Sequence, residues 1–97
     1  MSVRILRLRV AGRVQGVGYR DFVRGEADAR NLLGWVRNRR DGTVEVVVSG
    51  ACGQVEELIA ACWGGPPASR VADVRIEAID AAEGELPAAG FAIRPTI

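Results

Sequence analysis

Apolar and polar residues alternate over positions 3–11. Leu6, Leu8 and Val10 fall on one side and Arg7 and Arg9 on the other, which is the period of a half-buried β-strand. Over 21–33 the period lengthens to that of a helix, with Phe22, Val23 and Ala27 on one face and charges opposite. Gly25 weakens this helix by roughly 1 kcal/mol relative to Ala, and Gly34 is expected to mark its end. GWVRN (34–38) is a short strand, RRDG (39–42) a turn, and TVEVVVS (43–49) the returning strand, with Val44, Val46 and Val48 on one face. The Asp-Gly pair makes residues 35–49 a hairpin. Residues 53–63 give the clearest helix, Val55, Leu58, Ile59 and Cys62 recurring at i, i+3, i+4 and i+7 before GGPP (64–67) stops it. Residues 71–79 alternate again, with Val74 and Ile76 expected inward. A polar loop over roughly 80–90 then leads to FAIR (91–94), a short last strand expected at an edge.

The order β-α-β-β-α-β plus a short strand is that of an α+β, ferredoxin-like sandwich. Two helices cover one face of a largely antiparallel sheet, and the extra C-terminal strand lies at its edge. Residues 1–97 are read as one domain, without repeat or linker. The crossover makes the first two strands parallel, and the hairpin strand inserts between them. The ends of strands one and two then share one sheet edge, roughly 10 Å apart.

Two segments meet at that edge. Asn38 ends the second strand, and GRVQGVGYR (12–20) follows the first. Glycines allow successive N–H groups to converge on an anion, the first turn of the next helix adds its unpaired donors, and Arg20 offers a two-pronged cation. On these residues alone the stretch reads equally as a plain turn. The spacing matches neither GxGxxG nor a GK[ST] loop.

Composition narrows the chemistry. The net charge of +1 argues against a general nucleic-acid or anionic-membrane binder. All 13 basic residues are Arg, which reflects coding bias rather than function. There is no His, and Cys52 and Cys62 have no metal-ligand or redox spacing, so no metal site is expected. Cys62 is expected to be a buried apolar residue, and a reducing, cytoplasmic location fits best. MSVRILRLRV reads neither as a signal peptide nor as a membrane span.

VAGRVQGVGYR (10–20) and GWVRNRRDGTVEVVVSG (34–50) resemble, at their mutual separation, the two signature motifs of the acylphosphatase family, VQGVxFR and GWVxN…DGxVE. VEELI before GPP, the valine-rich strand and FAIR extend the likeness over nearly the whole chain. The resemblance implies a ferredoxin-like hydrolase of the carboxyl–phosphate bond of acyl phosphates, monomeric and needing no metal or other cofactor. Its partner would be a small acyl phosphate, not nucleic acid or a membrane. Residues Gln15, Gly16, Val17, Gly18, Tyr19 and Arg20 would form the phosphate cradle. Arg20 would bind the phosphoryl oxygens and Asn38 would orient the attacking water.

Three positions depart from the pattern. Tyr19 stands where Phe or Met is usual, and its hydroxyl requires solvent or a partner. Asp21 puts an acid beside Arg20, and Arg30 replaces an apolar residue. The plain alternatives are a surface ion pair for Arg20, a turn-starting role for Asn38, a solvated charged turn for Arg37, Arg39 and Arg40, packing roles for Trp35 and Trp63, and a solvated face for Glu56 and Glu57. Three other functions compete. A base-stacking module needs sheet aromatics that the first strand and residues 43–49 lack. A non-catalytic anion sensor would keep the cradle without turnover. A fragment of a hydrogenase-maturation carbamoyltransferase, whose amino-terminal domain resembles acylphosphatase, would continue into CxxC segments that are absent here.

Overall fold

The structure, a computed structural model, describes residues 3–97; the first two residues of MSVRILRLRV lie outside them. The elements are β1 (Val3–Arg13), α1 (Tyr19–Ala29), β2 (Leu33–Asn38), β3 (Val44–Ala51), α2 (Cys52–Gly64), β4 (Arg70–Ala78), a short α3 (Ala81–Gly84) and β5 (Phe91–Ile93). They form one five-stranded sheet in the order β4-β1-β3-β2-β5. β3 runs antiparallel to both β1 and β2, β4 runs antiparallel to β1, and β5 runs parallel to β2 at the far edge. The expected βαββαβ arrangement with an extra edge strand is present.

Alternation along the strands builds the core. Leu6, Leu8 and Val10 of β1, Val36 of β2 and Val44, Val46 and Val48 of β3 turn toward the helices and are buried. They meet Tyr19, Val23 and Ala27 from α1 and Val55, Leu58 and Cys62 from α2. Each such side chain removed from water contributes roughly 1.5–3 kcal/mol.

The structure corrects several expectations. α1 spans Tyr19–Ala29 rather than 21–33. Asn31 takes a left-handed conformation (φ 55°), and the N–H groups of Asn31 and Leu32 turn back to the carbonyls of Asp28 and Ala27, which closes the helix. Gly34, expected as the stop, lies inside β2, where a Cβ would fall 1.9 Å from the Val47 carbonyl oxygen. The 80–90 loop contains α3, started by Asp80, whose carboxylate accepts from the Glu83 N–H at 2.8 Å. Ile76 is on the helix face but 50% exposed, and Trp63 is 47% exposed rather than packed; the two line an open groove between α2 and β4.

The face away from α1 and α2 is also covered. Val47 and Trp35 are buried there, and the Trp35 indole N–H donates to the Gly84 carbonyl at 2.7 Å, docking α3 onto the sheet. Arg37 and Arg94 stack on the Trp35 ring at 4.5 and 4.7 Å from its centroid. Beside this patch Glu45 is only 2% exposed. Arg7, Arg37 and Arg39 approach it at 3.0, 2.9 and 2.9 Å. Arg37 and Arg39 are therefore not the solvated charges that the turn suggests.

Candidate active site

Val10, Val44 and Asn38 stand in one row across β1, β3 and β2. Cross-strand partners share a face, so Asn38 turns, like Val44, toward the helices. β1 ends at Arg13, and the chain from Val14 to Gly18 bends back over that edge before α1 begins at Tyr19. The bend is possible because Gly16 and Gly18 take φ of 73° and 81°, and Gly18 is the N-cap of α1. No side chain caps this helix start, so its first N–H groups remain available as donors.

Loop, helix start and strand end enclose a cavity of about 210 Å³ lined by Val14, Gly16, Gly18, Tyr19, Arg20, Asp21, Asn38 and Ile93. The two side chains singled out in the sequence, Arg20 and Asn38, thus meet in one cavity although 18 positions apart. Arg20 forms no ion pair or side-chain hydrogen bond among the described residues, which sets aside its reading as half of a surface pair. The neighbouring Asp21 carboxylate pairs instead with Arg24 at 3.2 Å, so the acid does not neutralise Arg20. The Asn38 Oδ1 is buried and has no hydrogen-bond partner among the described residues. A buried acceptor left this way costs about 1–3 kcal/mol, so it marks a place where a donor belongs.

The remaining cradle positions divide by role. Gly16 and Gly18 line the cavity with backbone. Val17 packs against the core. Tyr19 is buried, and its hydroxyl donates to the Cys62 carbonyl at 2.6 Å, which supplies the partner that a phenol there requires. Burial raises its pKa far above the ordinary value. Burial likewise pushes the Cys62 thiol up to about 11, so neither group is an acid or base near neutrality. The Gln15 side chain faces the β2–β3 turn, not the cavity. Sequence reasoning passed over Ile93, which contributes an apolar wall from β5. Its signal was present in the FAIR strand, but the parallel pairing that brings it beside β2 was not.

The acylphosphatase family model matches residues 6–93. The chain belongs to the acylphosphatase family. It is 50% identical to an acylphosphatase of Bradyrhizobium diazoefficiens over the whole of both chains. To one of Rhodospirillum rubrum it is 41% identical over 98% of this chain and 100% of that one. The fold matches the crystal structure of acylphosphatase from Bacillus subtilis with a TM-score of 0.85 at 40% identity, covering 96% of this chain and 99% of that one. A likeness to full-length HypF in its phosphate- and nucleotide-bound form (TM-score 0.82, 26% identity) covers 98% of this chain but only 12% of that protein. The acylphosphatase relatives are matched end to end, whereas HypF is matched over a small part. Among the described residues no group of three or more His, Cys, Asp or Glu could hold a metal ion. Among the described residues no helix is long and apolar enough to cross a membrane.

Proposed function

We propose that this cavity is the active site of an acyl phosphate hydrolase in which Arg20 and the 15–20 loop hold the phosphoryl group and Asn38 orients the attacking water. The chain is an acylphosphatase-family enzyme, and the reading rests on one observation. An uncommitted guanidinium and an unpartnered buried amide oxygen line the same small cavity beside a helix N-terminus.

Phosphoryl transfer is chiefly a matter of position and charge. The N–H groups at the start of α1 and the Arg20 fork draw off charge that develops on the phosphoryl oxygens. The Asn38 Oδ1 accepts a hydrogen bond from the water and aims its oxygen at phosphorus. The new O–P bond forms as the bond to the carboxyl oxygen breaks. The carboxylate leaves with the bonding pair, and the water's proton passes to a phosphoryl oxygen of the substrate. A carboxylate needs no protonation to depart, so the chain's lack of His is no obstacle. Because Arg20 and the backbone supply the charge, the reaction needs no metal.

The lack of His, the buried Cys62 and a charge near zero support a cytoplasmic, small-molecule role without nucleic acid or membrane. The test is benzoyl phosphate hydrolysis with excess chelator. Wild type is expected to turn over undiminished, Arg20→Gln to lose about 10³-fold or more in kcat/KM, and Asn38→Ala about 10²-fold in kcat. Folded wild type that binds phosphate without turnover would instead identify an anion sensor.

A further inference from the structure

We infer that Gln15 is a positioning residue, a clasp that sets the separation between the phosphate cradle and Asn38. The inference rests on the hydrolase reading above and adds a residue whose side chain touches neither phosphate nor water. The Gln15 Nε2 donates to two carbonyls of the β2–β3 turn, Arg39 at 2.7 Å and Thr43 at 2.9 Å. A primary amide nitrogen has two hydrogens, and both are used. Gln15 immediately precedes Gly16, the first cavity-lining glycine, and Arg39 immediately follows Asn38. The bond to Arg39 therefore joins the chain neighbours of two cavity residues, and the bond to Thr43 reaches the other arm of the same turn.

The turn that receives the clasp is itself firm. The Arg39 N–H donates to the Thr43 carbonyl at 2.9 Å, and the Arg39 guanidinium is held 2.9 Å from the buried Glu45. The other end of the loop is fixed independently, by the Tyr19 hydroxyl on the Cys62 carbonyl. Releasing Gln15 therefore leaves the Arg20 end in place and frees the loop relative to Asn38. Misplacement by about 1 Å costs on the order of 10²-fold in rate, and the loss should fall on the step that Asn38 serves.

The test is a double-mutant cycle in the full chain. Gln15→Met keeps the length and removes both donors; Gln15→Glu sets a carboxylate against the two carbonyls. Each is made in wild-type and Asn38→Ala backgrounds, with thermal unfolding confirming the fold. Benzoyl phosphate hydrolysis gives kcat and KM. Titration with inorganic phosphate, followed by NMR at the Gly18 N–H and the Asn38 side-chain amide, reads binding without turnover. Gln15→Met is expected to lower kcat about tenfold or more and to hold phosphate affinity within about threefold. In the Asn38→Ala background it should cost less than about twofold, because the two residues act as one unit. The phosphate-induced shift at Asn38 should vanish while that at Gly18 persists. Equal losses in both backgrounds, unchanged kcat in both Gln15 variants, or phosphate affinity falling as far as kcat would overturn the clasp. If wild type binds phosphate but does not hydrolyse, the hydrolase reading fails alone. The NMR arm then decides the clasp, which falls if the Asn38 shift survives in Gln15→Met.

Discussion

Tyr19 sits beside Arg20 at the cavity yet works through packing. Its hydroxyl ties the start of α1 to the end of α2, and its ring fills the core beneath the loop. Removing the hydroxyl strands a buried carbonyl but leaves the cavity wall in place. Tyr19→Phe is therefore expected to cost about 1 kcal/mol. That is a fall of roughly 4–8 °C in Tm for a domain of this size, with kcat within about twofold of wild type; calorimetry and kinetics on the same preparation check it. In the sequence, the cavity glycines and Arg20 read equally as an anion cradle or a plain turn, and Arg20 and Asn38 were singled out together only through the two acylphosphatase-like motifs. Asn31 was visible as a residue that tolerates a left-handed helix end, and reading it would have ended α1 in the right place. The partner of the Tyr19 hydroxyl was not visible, since it lies 43 positions away.

Among the elements, the β2–β3 hairpin carries the largest electrostatic commitment. Alternation showed which residues share a face but not what covers that face, so Arg37 and Arg39 read as solvent charges. The structure places them with Arg7 around a carboxylate that water scarcely reaches. Burial opposes ionisation of Glu45, but hydrogen bonds and charge from Arg37 and Arg39 outweigh it, and its carboxyl sits below the ordinary value. A carboxyl depressed in the folded state stabilises the fold above its unfolded pKa and loses that contribution as pH falls through the folded one. Glu45→Gln should accordingly cost about 3 kcal/mol at pH 7, by leaving three arginines without their common partner. The gap from wild type should narrow below about pH 4.3, the ordinary Glu value. Urea denaturation across pH measures both the gap and its narrowing; a constant gap would show that the charge of Glu45 is not what matters.

For the molecule as a whole, the βαββαβ order was legible because each element has its own period and the turns between them carry Gly and Pro. The short edge strand β5 was legible in FAIR, but its parallel pairing with β2 and its continuation, which has no period at all, were not. That continuation runs on beside β2. The Arg94 N–H donates to the Val36 carbonyl at 2.9 Å, the Ile97 N–H to the Asn38 carbonyl at 3.2 Å, and the Arg40 N–H to the Ile97 carbonyl at 2.9 Å. The last residues thus brace the backbone of Asn38 from the side opposite β3. Deleting residues 95–97 is expected to lower kcat about fivefold with the fold retained, as steady-state kinetics and circular dichroism together would show.

That brace also orders the way the site is assembled. The strand bearing Asn38 has its inner edge closed by β3, its partner in the hairpin, and its outer edge closed by residues 94–97, far along the chain. Pairing between near neighbours forms before pairing between distant segments. In refolding, the sheet around Asn38 is therefore built first and its second edge is secured later.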